Sequence, residues 1–143
     1  MSDDTTCPEC GAPAVAGMGC VEMFGGVLAW EAHDPELLAL HFYTVAAYNL
    51  QHPAQFTDET TTFLRAVFVE AWEKQWSSPE VRRVVDGRRR ARKPGPVLRK
   101  PADRHPVLKT WRKTLADVYV PDQPQGAAER VRAWAAAVHE GLR

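Results

Sequence analysis

Residues 7–53 read CPECGAPAVAGMGCVEMFGGVLAWEAHDPELLALHFYTVAAYNLQHP. This stretch holds all three cysteines and three of the five histidines, and it contains no Lys or Arg. It opens on Cys7-Pro8-Glu9-Cys10-Gly11, where two cysteines separated by two residues can turn both sulfurs toward one tetrahedral ion. Gly11 then permits the backbone twist that aims amide N–H groups at the thiolates. One such knuckle supplies two ligands, and a closed structural zinc site needs four. Cys20 stands at the start of a helical pattern, where the helix dipole favours a thiolate, and is the third candidate.

The fourth ligand is a choice among histidines. His41 and His52 fall on one face of a predicted second helix, but 11 residues at 1.5 Å separate them by about 16 Å, so one ion cannot take both. Folding the first two helices about His33-Asp34 places Cys20 opposite His52, and Glu31 opposite His41. The expected ligand set is therefore Cys7, Cys10, Cys20 and His52, around zinc. The competing readings are a redox pair, buried cysteines with no ligand role, and a His52 that merely caps its helix by bonding the last carbonyls. The βαβ context usual for a redox C-x-x-C is absent, which ranks that reading lower. With four protein ligands the ion would have no open position for water, so the site reads as structural.

Outward from the cysteines the chain is patterned for helices. Phe24, Val27 and Leu28 keep helical spacing over 20–30, although Gly25-Gly26 costs roughly 1 kcal/mol per residue relative to Ala and needs a compensating contact. Asp34-Pro35-Glu36 is an N-cap, a first-turn proline and a favourable acid. That second helix should run unbroken to about Gln51, where Pro53 ends it. A third helix after Thr57 carries Phe63, Leu64, Val67, Phe68, Ala71 and Trp72, the strongest periodic stripe in the chain. Ser78-Pro79-Glu80 caps a short fourth helix with Val81, Val84 and Val85. A fifth is expected to carry Leu108, Trp111, Leu115 and Val118, and a last one Val131, Trp134, Ala135, Val138 and Leu142. The sum is an all-α, single-domain bundle of five or six helices over residues 1–143, with an N-terminal zinc knuckle, a disordered tail at 1–6 and a metal-stapled helical hairpin at 7–53.

Composition sets bounds on this reading. At 143 residues, 45% hydrophobic and 25% charged, the chain can bury one core. An odd cysteine count excludes a complete disulfide framework within one chain. No apolar run approaches the ~20 residues that span a bilayer, so no membrane association is expected. The acidic N-terminus is the opposite of a signal peptide, which makes the cytoplasm the expected location.

The zero formal charge conceals a division: residues 1–64 sum to −9 and residues 65–143 to +9. Residues 82–104 alone hold ten basic side chains against two acidic ones. With Gly87 and four prolines, residues 87–106 read as a basic loop. It is the expected contact for an anionic partner, nucleic acid among them, since phosphate binding needs only positioned cations. No aromatic residue interleaves the arginines, so base stacking is not indicated. The reading that ranks above nucleic acid is self-complementation: the loop folds onto the acidic half of its own chain, or onto that of a second copy in a homo-oligomer.

The string Cys7-Pro8-Glu9-Cys10-Gly11-Ala12, the later Cys20, and His41-x-x-Thr44-Val45-x-x-Tyr48-x-Leu50-Gln51-His52-Pro53 together resemble a family of small bacterial proteins classed as a domain of unknown function. Trp111-Arg112-Lys113-Thr114-Leu115-Ala116-Asp117-Val118 and Val131-Arg132-Ala133-Trp134-Ala135 resemble it too. The resemblance implies a metal role for the Cys/His set and a single domain, and it supplies no activity. The functional expectation is a zinc-binding helical module, binding or accessory in role. The alternative from another class is a small metal-dependent enzyme, with Glu31 and His41 as an acid–base pair and Tyr48 as a donor.

Overall fold

The computed structural model describes residues 6–92 and 95–143. Apart from Thr6, the tail expected to be disordered lies outside the described residues, as do Lys93 and Pro94 of the basic segment. The described chain is helical, with six α-helices and no β-strand. Residues 6–19 instead make two isolated bridges, Thr6 with Pro13 and Val15 with Met18.

Helix α1 spans Cys20–Trp30, and Gly19 caps it with its N–H on the Glu22 carboxylate. Met23 and Val27 are fully buried. The glycine pair has a tertiary explanation at one position only. A Cβ on Gly26 would stand 2.6 Å from the Tyr119 ring, whereas one on Gly25 would meet nothing within 4 Å. Gly26 thus admits Tyr119, which stacks on Trp30 with ring centroids 5.0 Å apart.

Asp34 caps the next helix as expected, accepting from the Leu37 N–H at 3.1 Å. The unbroken helix to Gln51 is not what forms. Helix α2 stops at Pro35–Ala39, and α3 restarts at His41–Gln51. Between them Leu40 sits at φ −96°, ψ 10°, its N–H drawn onto the Leu37 carbonyl in a tight turn. Packing drives the break, which lets α2 lie on the last helix while α3 runs on across the core. Leu37 on one piece and Ala46, Ala47 and Leu50 on the other are all buried.

Helix α4 spans Asp58–Lys74 and buries Val67, Phe68 and Ala71, with Phe63, Leu64 and Trp72 packed at the margin of the core. Tyr43 ties α3 to the end of α4 through its hydroxyl, which donates to the carbonyls of Ala71 and Trp76. Helix α5 spans Ser78–Ala91, started by a reciprocal bond pair between Ser77 and Glu80. It does not stop at Gly87, so the first five residues of the expected loop are helical. An Arg88–Glu70 ion pair holds that last stretch against α4, and one glycine costs only about 1 kcal/mol.

The expected helix over Leu108, Trp111, Leu115 and Val118 is absent. Residues 104–114 carry no helix, and only Leu115–Asp117 form a 3-10 turn. Tertiary partners take the backbone groups a helix would have used. The Lys109 N–H donates to the Glu9 carbonyl and the Lys113 carbonyl accepts from Gln51, while the Thr114 N–H is taken locally by the Asp117 carboxylate. Leu108 is 62% exposed, while Leu115 and Val118 are buried. Helix α6, Ala127–Gly141, closes the core with Val131, Trp134, Ala135 and Val138.

Candidate metal centre

Three elements deliver four donors to one point. The Cys7–Ala12 knuckle is built by the Gly11 N–H on the Cys7 carbonyl and the Cys7 N–H on the Ala12 carbonyl. Gly11 stands at φ +77°, the left-handed region that favours glycine. Helix α1 contributes Cys20 from its first residue, and His52 follows the last residue of α3. The Cys7, Cys10 and Cys20 sulfurs and a His52 ring nitrogen all lie within 4.8 Å of one another. All three cysteines are free thiols. Such a group could hold a metal ion.

His52 is oriented from behind. Its Nδ1 donates to the Tyr48 carbonyl at 2.6 Å, and its ring stacks on that of Tyr48 with centroids 4.4 Å apart. Nε2 is buried and has no hydrogen-bond partner. A histidine that donates from one nitrogen to a carbonyl and leaves the other bare is arranged as a metal ligand usually is. The capping interaction expected as a competitor to ligation thus coexists with a bare Nε2.

The electrostatics follow from crowding. Cys10 is pulled down to about 4, because the Cys20 thiol 3.6 Å away donates to it and outweighs the opposing effect of burial. Cys20 is pushed well above the usual thiol range by that same bond and by burial. Burial alone would depress His52, but the Cys10 thiolate beside its ring and the Tyr48 carbonyl raise it to about 9. Tyr48 is raised to about 12, by burial first and then by the cysteines. A cleft of about 500 Å³, walled by Glu9, Glu22, Tyr48 and Gln55, opens beside the cluster.

A family model covers residues 5–143, nearly the whole chain. The chain belongs to the family of unknown function DUF5946. No curated protein and no solved structure matches it.

The second candidate group is only half assembled. His41 Nδ1 and Glu31 Oε1 meet at 2.8 Å, with Glu31 buried and His41 half-exposed. Tyr48 is seven residues further along α3, about 10 Å by helical rise. It stacks on Phe24, with centroids 4.0 Å apart, and on His52. The tyrosine therefore belongs to the cysteine end, and the acid–base trio is not brought together.

Two residues that pattern reading passed over hold the centre in place. Glu9, between the knuckle cysteines, accepts the Ala54 N–H at 3.0 Å just past His52, and its carbonyl accepts the Lys109 N–H. Gln51, 1% exposed, donates to the Lys113 carbonyl at 2.8 Å and accepts from the Trp134 indole at 3.1 Å. No periodicity marks either, since each bonds across the chain. The basic segment is partly neutralised by carboxylates of α4, Arg88 by Glu70 and Arg99 by Asp58.

Proposed function

We propose that this DUF5946 member is a zinc-stapled helical binding module, in which Cys7, Cys10, Cys20 and His52 hold the ion. The observation that carries the reading is a His52 ring nitrogen within 4.8 Å of three thiols, on a ring whose Nε2 is buried and has no hydrogen-bond partner. The Cys10–Cys20 separation of 3.6 Å is close to the edge of about 3.8 Å expected for thiolates 2.3 Å from a tetrahedral zinc. The donor set, three sulfurs and one nitrogen, suits zinc over magnesium or calcium, which take oxygen. Four protein ligands leave no position for a catalytic water, so the ion acts by holding the 7–19 segment to the ends of α1 and α3.

The binding role rests on the basic segment. Arg83 and Arg90 are seven residues apart on α5, nearly in line at 100° per residue, and both are exposed. They form an outward cationic face suited to an anionic partner. The enzyme reading keeps the Glu31–His41 contact, but Tyr48 stands apart from that pair, stacked on Phe24 and His52 at the cysteine end.

Elemental analysis of purified protein tests the metal half, with one zinc per chain expected. Heparin and single-stranded DNA test the other half. Binding should fall steeply with salt and weaken in Arg83→Ala/Arg90→Ala. No zinc in freshly purified protein sinks the first claim, and salt-independent or absent polyanion binding sinks the second.

A further inference from the structure

The inward face of α5 changes character along its length. Val81, Val84 and Val85 keep helical spacing toward the core, and at 100° per residue Arg88 continues the same stripe, with Arg89 beside it and Arg92 just past the helix end. Where α5 passes the first turns of α4 it therefore presents guanidinium groups where a packed pair of helices would present apolar side chains. A cleft of about 490 Å³ results, within the range of roughly 300–1,000 Å³ usual for small-molecule sites. Phe63, Ala66 and Val97 give it apolar walls.

The end of the cleft is built by the chain's return. Residues 95–99 run back past the start of α4, where the Thr57 N–H donates to the Val97 carbonyl and the Arg99 N–H to that of Gln55. The Thr57 hydroxyl, which also caps α4, donates to the Pro96 carbonyl at 2.8 Å.

The charges in the cleft select the ligand. Among the described residues, five charged side chains line it: Asp58, Glu59, Arg88, Arg89 and Arg92. Arg88 is engaged by Glu70 and Asp58 by Arg99, both partners outside the cleft. Among the described residues, Arg89 and Arg92 have no ion-pair partner, and they face a single remaining carboxylate, Glu59. Among the described residues, one positive charge is left over above an apolar surface.

We propose that this cleft binds a small monocarboxylate with an apolar body, of the fatty-acid kind. The carboxylate is held by Arg89 and Arg92, and the hydrocarbon lies on Phe63, Ala66 and Val97. A planar carboxylate suits the guanidinium fork. A doubly charged phosphate would overshoot the single surplus charge and meet Glu59. The proposal rests on the basic segment being a contact surface for anions and narrows one face of it. The outward pair Arg83 and Arg90 serves to separate the two claims.

The probe is decanoate, with 1-decanol as its neutral counterpart, titrated into the full chain and followed by the methyl NMR signals of Ala66 and Val97. Saturable shifts at those methyls are expected for decanoate. Affinity should fall at least tenfold for 1-decanol and for Arg89→Ala/Arg92→Ala, with partial retention in Arg89→Lys/Arg92→Lys. Arg83→Ala/Arg90→Ala should bind decanoate as the parent does. Absence of saturable shifts, equal affinity for the alcohol, or undiminished binding by the alanine pair overturns the assignment. If heparin still binds through Arg83 and Arg90 while decanoate does not, the cleft falls and the outward surface stands. Failure of both probes removes both.

Discussion

His52 and Tyr48 are joined by a 2.6 Å hydrogen bond from the imidazole Nδ1 to the backbone carbonyl four residues earlier. The bond does two things at once. It gives an end-of-helix carbonyl a donor, and it leaves Nε2 as the ring nitrogen free of a hydrogen-bond partner. The orientation of this candidate donor is thus built into the end of α3.

The first prediction concerns the ligands. Cys20→Ser and His52→Ala should each purify with well under one zinc per chain, and His52→Cys should keep the metal by completing a four-thiolate site. Cobalt-loaded parent protein should show the visible bands of a tetrahedral thiolate site, weakened or shifted in each variant. Full occupancy in both Cys20→Ser and His52→Ala would refute the assignment.

Proton competition is the second. At neutral pH, without metal, the Cys20 thiol and the His52 imidazolium hold protons that zinc must displace, because both are raised above their ordinary values. Affinity should therefore rise with pH, most steeply below about 9, where His52 still holds its proton, and go on rising above that while the Cys20 thiol holds its own. Calorimetry in buffers of different ionisation enthalpy should register proton release on binding. A chelator should lower the melting temperature by about 10 °C, taking roughly 4 kcal/mol of linkage and 2–4 °C per kcal/mol at this size. A pH-independent affinity would exclude His52 as a ligand.

Gln51 supplies a third. Its amide bonds both the Lys113 carbonyl and the Trp134 indole, and it is almost wholly buried. Gln51→Ala leaves both partners unsatisfied in the core and should cost about 2–4 kcal/mol in chemical denaturation, with the m-value unchanged. A loss below 0.5 kcal/mol would show that water replaces the side chain, at the low end of what a hydrogen bond contributes.

The adjacent glycines of α1 give the fourth. Gly25→Ala meets open space and should stabilise by about 0.5–1 kcal/mol through helix propensity alone. Gly26→Ala drives a methyl into the Tyr119 ring and should destabilise by about 1–2 kcal/mol, since overpacking outweighs the same propensity gain. Thermal melts of the two variants should move in opposite directions. Movement in the same direction would mean that Tyr119 yields freely.

The total of six helices conceals two opposite departures from the pattern. One expected helix divides at Leu40, and the helix expected over 108–118 does not form. In both places backbone groups are claimed by partners distant in sequence or by packing on α6. A hydrophobic period records which side of a segment seeks the core, but not which distant group will take its hydrogen bonds. Leu108, Trp111, Leu115 and Val118 keep helical spacing, yet an extended path reaches Glu9 and Gln51 instead.

What local chemistry could specify, the sequence did specify. Asp34 and Thr57 cap their helices because a side-chain oxygen meets the free N–H groups three residues on. Pro53 closes α3, and antiparallel folding about residues 31–34 sets Glu31 beside His41 and Cys20 beside His52. Those relations depend on short segments of fixed rise. Only the tertiary structure decided that Gly26 makes room for Tyr119, that Gln51 joins α3 to α6, and that the arginines of α5 overhang an apolar cleft. Each of these is a contact between segments tens of residues apart, settled by how the whole core closes.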